Sequence, residues 1–185
     1  MIYPIRAFGD PVLRAECSEI EAFDEDFHKL IADMFETMDG SDGVGLAAPQ
    51  IGKSLRIFLV DSTVFDEEGE NKGIRQAFIN AQILEEEGEE WGFEEGCLSI
   101  PDIREEVMRQ PKVTMRYQTV DGEEKTEVFE GMTARVIQHE YDHIEGVLFT
   151  DHISAFKRQL LKSKLNNISR GKINVRYRMK FPKRK

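Results

Sequence analysis

The sequence predicts an α+β fold in which antiparallel β-sheets wrap around one central helix, with an N-terminal packing helix on the outside and a basic C-terminal helix followed by a strand. Three observations predict it. The stretch 131–146 has no proline, and its apolar residues Val136, Ile137, Tyr141 and Ile144 recur at helical spacing with Gly146 placed to end the helix. A second stretch carries Phe27, Leu30, Ile31, Met34, Phe35 and Met38 at spacings of three and four. Between the two, short runs rich in Val, Ile, Phe and Tyr alternate with turn residues, the signature of strands joined by hairpins.

At 185 residues the chain is expected to form a single domain over 1–185, long enough to bury a real core, with a body over 1–151 and a basic segment over 152–185. Its 40% apolar and 32% charged residues are those of a water-soluble globular protein. No apolar run of about 18 residues is present to span a membrane, and the first residues lack the charged and apolar regions of a signal peptide, so a cytoplasmic protein is expected. Two cysteines in unlike contexts, Cys17 and Cys97, make a poor disulfide framework and suit a reducing compartment. The net charge of −10 hides an asymmetry: residues 152–185 hold 12 Lys or Arg and no acid, leaving 13 basic against 35 acidic residues elsewhere. Such an end can dock a polyanion, for which RNA rather than DNA is the candidate, or it can pack as a solvated basic helix on its own acidic body.

Taken in order, Asp10-Pro11-Val12-Leu13-Arg14 is set for a single turn, with Asp as cap and Pro in the first helical position. Cys17 reads as a small packed side chain. Asp24 is the N-cap of the first helix and Gly40 stands near its exit. The small residues of 41–50 form a loop that backbone or ligand can approach closely, either lining a substrate or making a tight Ala-packed turn. Its spacing fits no phosphate-binding glycine motif. Strands are expected at 55–60, at 76–80 and again at 82–86, with an exposed acidic loop at 66–73. Further strands follow at 104–109 and 112–120, and Asp121-Gly122 supplies a two-residue hairpin turn into 125–129. After the central helix, Asp151 or Ser154 opens an amphipathic basic helix through Phe156, Leu160, Leu161, Lys164 and Leu165. Gly171 interrupts it, and 173–179 alternates like an edge strand.

The central helix carries His139-Glu140-Tyr141-Asp142-His143, an HExxH sequence. Residues four apart on a helix lie one above the other, so both imidazoles can reach one cation, while Glu140, rotated to the side, is placed to meet a metal-bound water rather than to ligate. A third ligand is required. Cys97, flanked by Gly and small or apolar residues in Glu94-Glu95-Gly96-Cys97-Leu98-Ser99-Ile100-Pro101, is the candidate.

Three stretches together resemble the peptide deformylase family, whose members remove formyl from the initiating formyl-methionine of newly made bacterial and organellar proteins. They are Gly43-Val44-Gly45-Leu46-Ala47-Ala48-Pro49-Gln50, Glu95-Gly96-Cys97-Leu98-Ser99 and His139-Glu140-Tyr141-Asp142-His143, and their order and spacing match the family from about residue 3 to 165. The resemblance implies metal ligands Cys97, His139 and His143 with water in an open fourth position. It implies one divalent ion per chain, usually Fe2+, which Zn2+, Ni2+ or Co2+ can replace. It further implies Glu140 as the base that deprotonates the attacking water and returns the proton to the departing amine, with the Leu98 backbone N–H and the Gln50 amide meeting the oxyanion. Val44, Gly45 and Leu98 are expected in the methionine pocket, Glu95 to pair with Arg104 near the substrate, and Asp142 to hold a ligand imidazole or a backbone group. Family precedent would make the partners formyl-methionyl nascent peptides and, through the basic segment, the ribosome. Two other classes make different demands. An HExxH endopeptidase needs a downstream ligand, for which His152 is the one later imidazole, and a structural metal module needs a fourth protein ligand such as His28, His152 or Cys17.

Overall fold

The computed structural model describes residues 1–65 and 73–182. The acidic loop expected at 66–73 lies outside them except for Gly73. In chain order the elements are β1 (Ile5–Arg6), α1 (Glu25–Asp39), β2 (Gly45–Ala47), β3 (Ile57–Asp61), β4 (Arg75–Glu87), β5 (Trp91–Cys97), β6 (Ile100–Arg109), β7 (Lys112–Gln118), β8 (Glu124–Glu130), α2 (Gly131–Ile144), α3 (Phe149–His152), α4 (Ala155–Ser169) and β9 (Met179–Lys180). Five strands form an antiparallel sheet in the order β2-β3-β4-β7-β8, β5 and β6 make a separate hairpin, and β1 and β9 pair in parallel.

Local chemistry accounts for the main boundaries. Asp24 accepts a hydrogen bond from Phe27 N at 2.9 Å to open α1, and Glu25 and Asp26 sit in its first turn, where the helix dipole favours acids. The stripe Phe27, Ile31, Met34 and Met38 is buried against Leu46, Ile57, Leu59 and Ile79 of the sheet. On the sheet's other face, Phe58, Phe78, Tyr117 and Phe129 form an aromatic core with Ala134, Val136 and Ile137 of α2, the Phe58 and Phe78 rings stacking at 4.9 Å. Alternation along the strands sends neighbouring residues to these opposite cores, so α1 and α2 sandwich the sheet. Gly146, at φ +71°, follows the end of α2 as its spacing required. A third core joins β6 to the C-terminal region through Ile103, Val107, Phe149, Leu161 and Leu165.

Several elements depart from the sequence expectation. The strands expected at 76–80 and 82–86 are one continuous β4, because Asn80, at φ +52°, makes an irregularity in the ladder instead of a break. Its side chain fixes this bend by accepting from Ile20 N and donating to Ile20 O and Gln118 Oε1. The hairpin after β7 closes across Thr119 and Glu123, with Gly122 left-handed at φ +80°, a longer loop than the two-residue turn expected at Asp121-Gly122. Within 41–50, Gly45–Ala47 joins the sheet edge and Ala48–Ile51 forms a 3-10 turn. The basic helix is α4, capped by Ser154, but Phe156 and Leu160 point outward at 74% and 66% exposure, and the buried stripe is Leu161, Leu165 and Ile168. Residues 173–179 alternate between half-buried and exposed, yet ladder pairing is confined to Met179–Lys180 against the two residues of β1. Alternation reports which way side chains face, whereas a ladder also needs a partner strand of equal length.

Candidate metal centre

The centre forms where the β5–β6 hairpin, α2 and the 3-10 turn Ala48–Ile51 meet. Strand alternation puts Glu95 and Cys97 on one face of β5, and helical spacing stacks His139 over His143 on α2, their rings 5.2 Å apart and near perpendicular. One ligand atom from each of Cys97, His139 and His143 lies within 4.8 Å of the others, and Cys97 Sγ stands 3.3 Å from His143 Nε2. Gln50 is 1% exposed, and its Oε1 accepts from Ala47 N at 2.8 Å. That bond fixes the amide so that Nε2 faces Cys97 Sγ and Ser99 Oγ, each at 3.4 Å. A cavity of about 460 Å³ opens beside these groups, and Val44, Gly45, Leu98 and Glu140 line it.

Charge is held in place by a buried network. The Glu95 carboxylate takes His139 Nδ1 at 2.9 Å, Arg109 Nε at 2.7 Å and Arg135 Nη1 at 3.0 Å, partners that outweigh its burial and keep it well below the usual carboxylate range. Arg135 also donates to Trp91 O and Val107 O and lies 4.4 Å over the Trp91 ring. Burial alone would raise the Cys97 thiol, but the two imidazoles beside it reverse this and bring it down to about 5. Burial pushes Glu140 up to about 7 against the pull of His139 and His143. Its Oε2 is enclosed and has no hydrogen-bond partner among the described residues.

This donor set fits a divalent transition metal. A thiolate and two imidazoles supply three converging ligands, the Glu95 carboxylate orients one imidazole from behind, and the neighbouring cavity leaves room for a fourth position to stay open. His152 lies elsewhere, bonded through Nε2 to Asp142 Oδ2 at 2.7 Å, and neither it, His28 nor Cys17 joins the cluster found among the described residues.

The sequence expected Glu95 to pair with Arg104, and here the structure differs. Arg104 lies on the exposed rim of the cavity, on the opposite face of β6 from Arg109, which takes the Glu95 carboxylate. Among the described residues Asp142 meets neither a ligand-candidate imidazole nor a backbone group; its Oδ2 forms an ion pair with Arg109 Nη2 at 2.9 Å and lies 2.7 Å from His152 Nε2. Arg109 and Arg135 were not anticipated. A signal was present for each: Arg109 continues the inward alternation of Ile103 and Val107, and Arg135 stands four residues before His139 on the same helix face.

Gly45 leaves space that Glu140 fills. A Cβ at Gly45 would overlap the Glu140 carboxylate and come within 2.6 Å of its Cδ. Gly45→Ala is therefore expected to reduce turnover about 100-fold by displacing that side chain while leaving metal content unchanged, as steady-state kinetics and metal analysis would report.

Comparison with known proteins places this geometry among relatives. The profile of the family described as polypeptide deformylase matches residues 2–159. A peptide deformylase of Cytophaga hutchinsonii is 56% identical over 185 residues, covering 100% of both chains, and one of Christiangramia forsetii is 53% identical over all of this chain and 98% of its own. Among solved structures, a peptide deformylase from Legionella pneumophila superposes with a TM-score of 0.82 at 40% identity, covering 93% of this chain and 98% of its own. That of Thermotoga maritima gives 0.74 at 46% identity, over 83% and 99%. Full-length matches at such identity, on a chain whose three motifs meet at one centre, show that it belongs to the polypeptide deformylase family.

Proposed function

We propose that this protein hydrolyses the formamide of N-formyl-methionyl polypeptides, releasing formate and a free amino terminus. The observation that carries the reading is the convergence of Cys97, His139 and His143 beside a cavity in which a buried carboxylate, Glu140, has a free oxygen. A divalent ion held by these three ligands, Fe2+ by preference and replaceable by Zn2+, Ni2+ or Co2+, would polarise the formyl oxygen and acidify the attacking water.

The chain's own groups do the rest. Glu140, with an affinity for protons matched to neutral pH, takes a proton from water as it attacks the formyl carbon and delivers it to the departing amine. The Gln50 Nε2–H and the Leu98 backbone N–H stabilise the oxyanion, Gln50 from an amide already locked by Ala47. Val44, Gly45 and Leu98 border the space for the methionine side chain, and Arg104 at the exposed rim meets the following peptide. Product analysis separates this reading from an endopeptidase. Metal-loaded protein given formyl-Met-Ala-Ser should yield formate and intact Met-Ala-Ser, whereas fragments split at an internal peptide bond would favour the peptidase.

Newly made chains are met in the cytoplasm, and no described helix is long and apolar enough to cross a membrane. The basic segment 152–185 supports docking at the ribosomal exit, with α4 presenting Lys157, Arg158, Lys162 and Lys164 at its exposed surface beside Phe156 and Leu160. Replacing those four cations by glutamine should abolish salt-sensitive ribosome binding in a sedimentation assay; unchanged binding would remove this part of the account.

A further inference from the structure

The turn that carries Leu98 is gripped from both ends of the chain. Cys97 pairs with Ile100 across the tip of the β5–β6 hairpin, so Leu98 and Ser99 are the turn itself. Ser99 O accepts from Phe8 N at 2.9 Å, just beyond β1, and Leu98 O accepts from the Tyr177 hydroxyl at 2.8 Å, just before β9. The two grips are one unit because β1 and β9 are paired: Ile5 N donates to Arg178 O at 2.8 Å and Ala7 N to Lys180 O at 3.0 Å. Tyr177 also packs in the same apolar cluster as Leu98 and Met179. Burial, together with the negative charges of Cys97 and Asp102, raises its phenol well above the usual range, so the hydroxyl keeps its proton and remains a donor at any physiological pH.

We propose that Tyr177 is a positioning residue for the reaction: its hydroxyl, held by the β1–β9 pair, fixes the Leu98 turn so that the Leu98 N–H points where the oxyanion develops. The proposal rests on the reading of that N–H as an oxyanion donor. A turn of two residues can rotate its peptide planes at little cost, and a donor that must reorient during the reaction loses most of its value. The Tyr177 bond fixes the Leu98–Ser99 peptide plane, and the pairing of Cys97 with Ile100 holds the residue before it, so the Cys97–Leu98 plane that carries the N–H is constrained from both sides. The C-terminal segment, which looks like an appendage in sequence, thereby becomes part of the catalytic scaffold. Tyr177 touches neither substrate nor metal in this account and acts only through Leu98.

The test compares Tyr177→Phe, which deletes only the hydroxyl, with Met179→Ala, which loosens the same packing and leaves the hydrogen bond, and with Gln50→Ala. All are assayed on formyl-Met-Ala-Ser at equal metal content, with thermal unfolding measured in parallel. The expected result is that Tyr177→Phe lowers kcat about tenfold with KM within about twofold, while Met179→Ala lowers the melting temperature and leaves kcat within about twofold. A kcat for Tyr177→Phe within about twofold of wild type, with Gln50→Ala strongly impaired, would overturn the role of Tyr177 and spare the oxyanion reading. An equal loss of kcat in Met179→Ala would reduce Tyr177 to packing. Unimpaired Gln50→Ala would overturn the oxyanion reading itself, and the proposal with it.

Discussion

Glu140→Gln is expected to lower kcat about 1,000-fold with metal content and melting temperature maintained, because the amide keeps the shape of the carboxylate and loses its capacity to take a proton. Glu140 is 4% exposed, carries an unpartnered oxygen and is raised to about 7, so in wild type the rate should fall as pH drops through a group no higher than about 7. The limb should be missing from the residual activity of the variant. A variant with near-normal kcat would mean that another group moves the proton.

Glu95→Ala is expected to act on stability and metal affinity together. The carboxylate is 5% exposed and joins two buried arginines to a ligand imidazole. Removing one member of a buried ionic cluster leaves the others uncompensated, at a cost of about 3–5 kcal/mol, seen as a lower denaturant midpoint. Arg109 keeps Asp142 and Arg135 keeps its two carbonyls and the Trp91 ring, which places the expectation toward the lower figure. His139 would also lose the acceptor that sets its tautomer and ring orientation, weakening metal binding about 10–100-fold in a chelator competition. Unchanged stability and affinity would show that the network is incidental. Glu95→Gln, which retains an acceptor for His139, should fall between wild type and alanine.

The clustering of Cys97, His139 and His143 was legible because each residue declares itself through spacing or chemistry: two histidines one helical turn apart, and a cysteine in a setting of small neighbours. The helices were legible for a related reason, since caps such as Asp24 and Ser154 act within a few residues of their own position. What escaped depends on partners distant in sequence. The resemblance implies Glu95 paired with Arg104 near the substrate, but only the register of β5 against β6 and the crossing of α2 decide that Arg109 and Arg135 receive it. The same holds for β4, where Asn80 bends the strand by bonding a segment 60 residues earlier, and for the C-terminal end, whose alternation could not disclose how short its partner strand is. The sequence names Phe156, Leu160, Leu161 and Leu165 together on the amphipathic basic helix, and it is the third core, joining β6 and α3 to this helix, that selects Leu161 and Leu165 for burial and leaves Phe156 and Leu160 outside.

If deformylation occurs at the Cys97, His139 and His143 centre, activity must track the metal bound there. Metal-stripped protein would be titrated anaerobically with Ni2+ while formate release from formyl-Met-Ala-Ser is followed, in wild type and in Cys97→Ala. Deformylation at this centre requires activity that rises with bound metal and saturates at one ion per chain in wild type, and none in Cys97→Ala. Formate release that survives metal stripping or the loss of Cys97, or its absence from folded and fully loaded wild type, would contradict it.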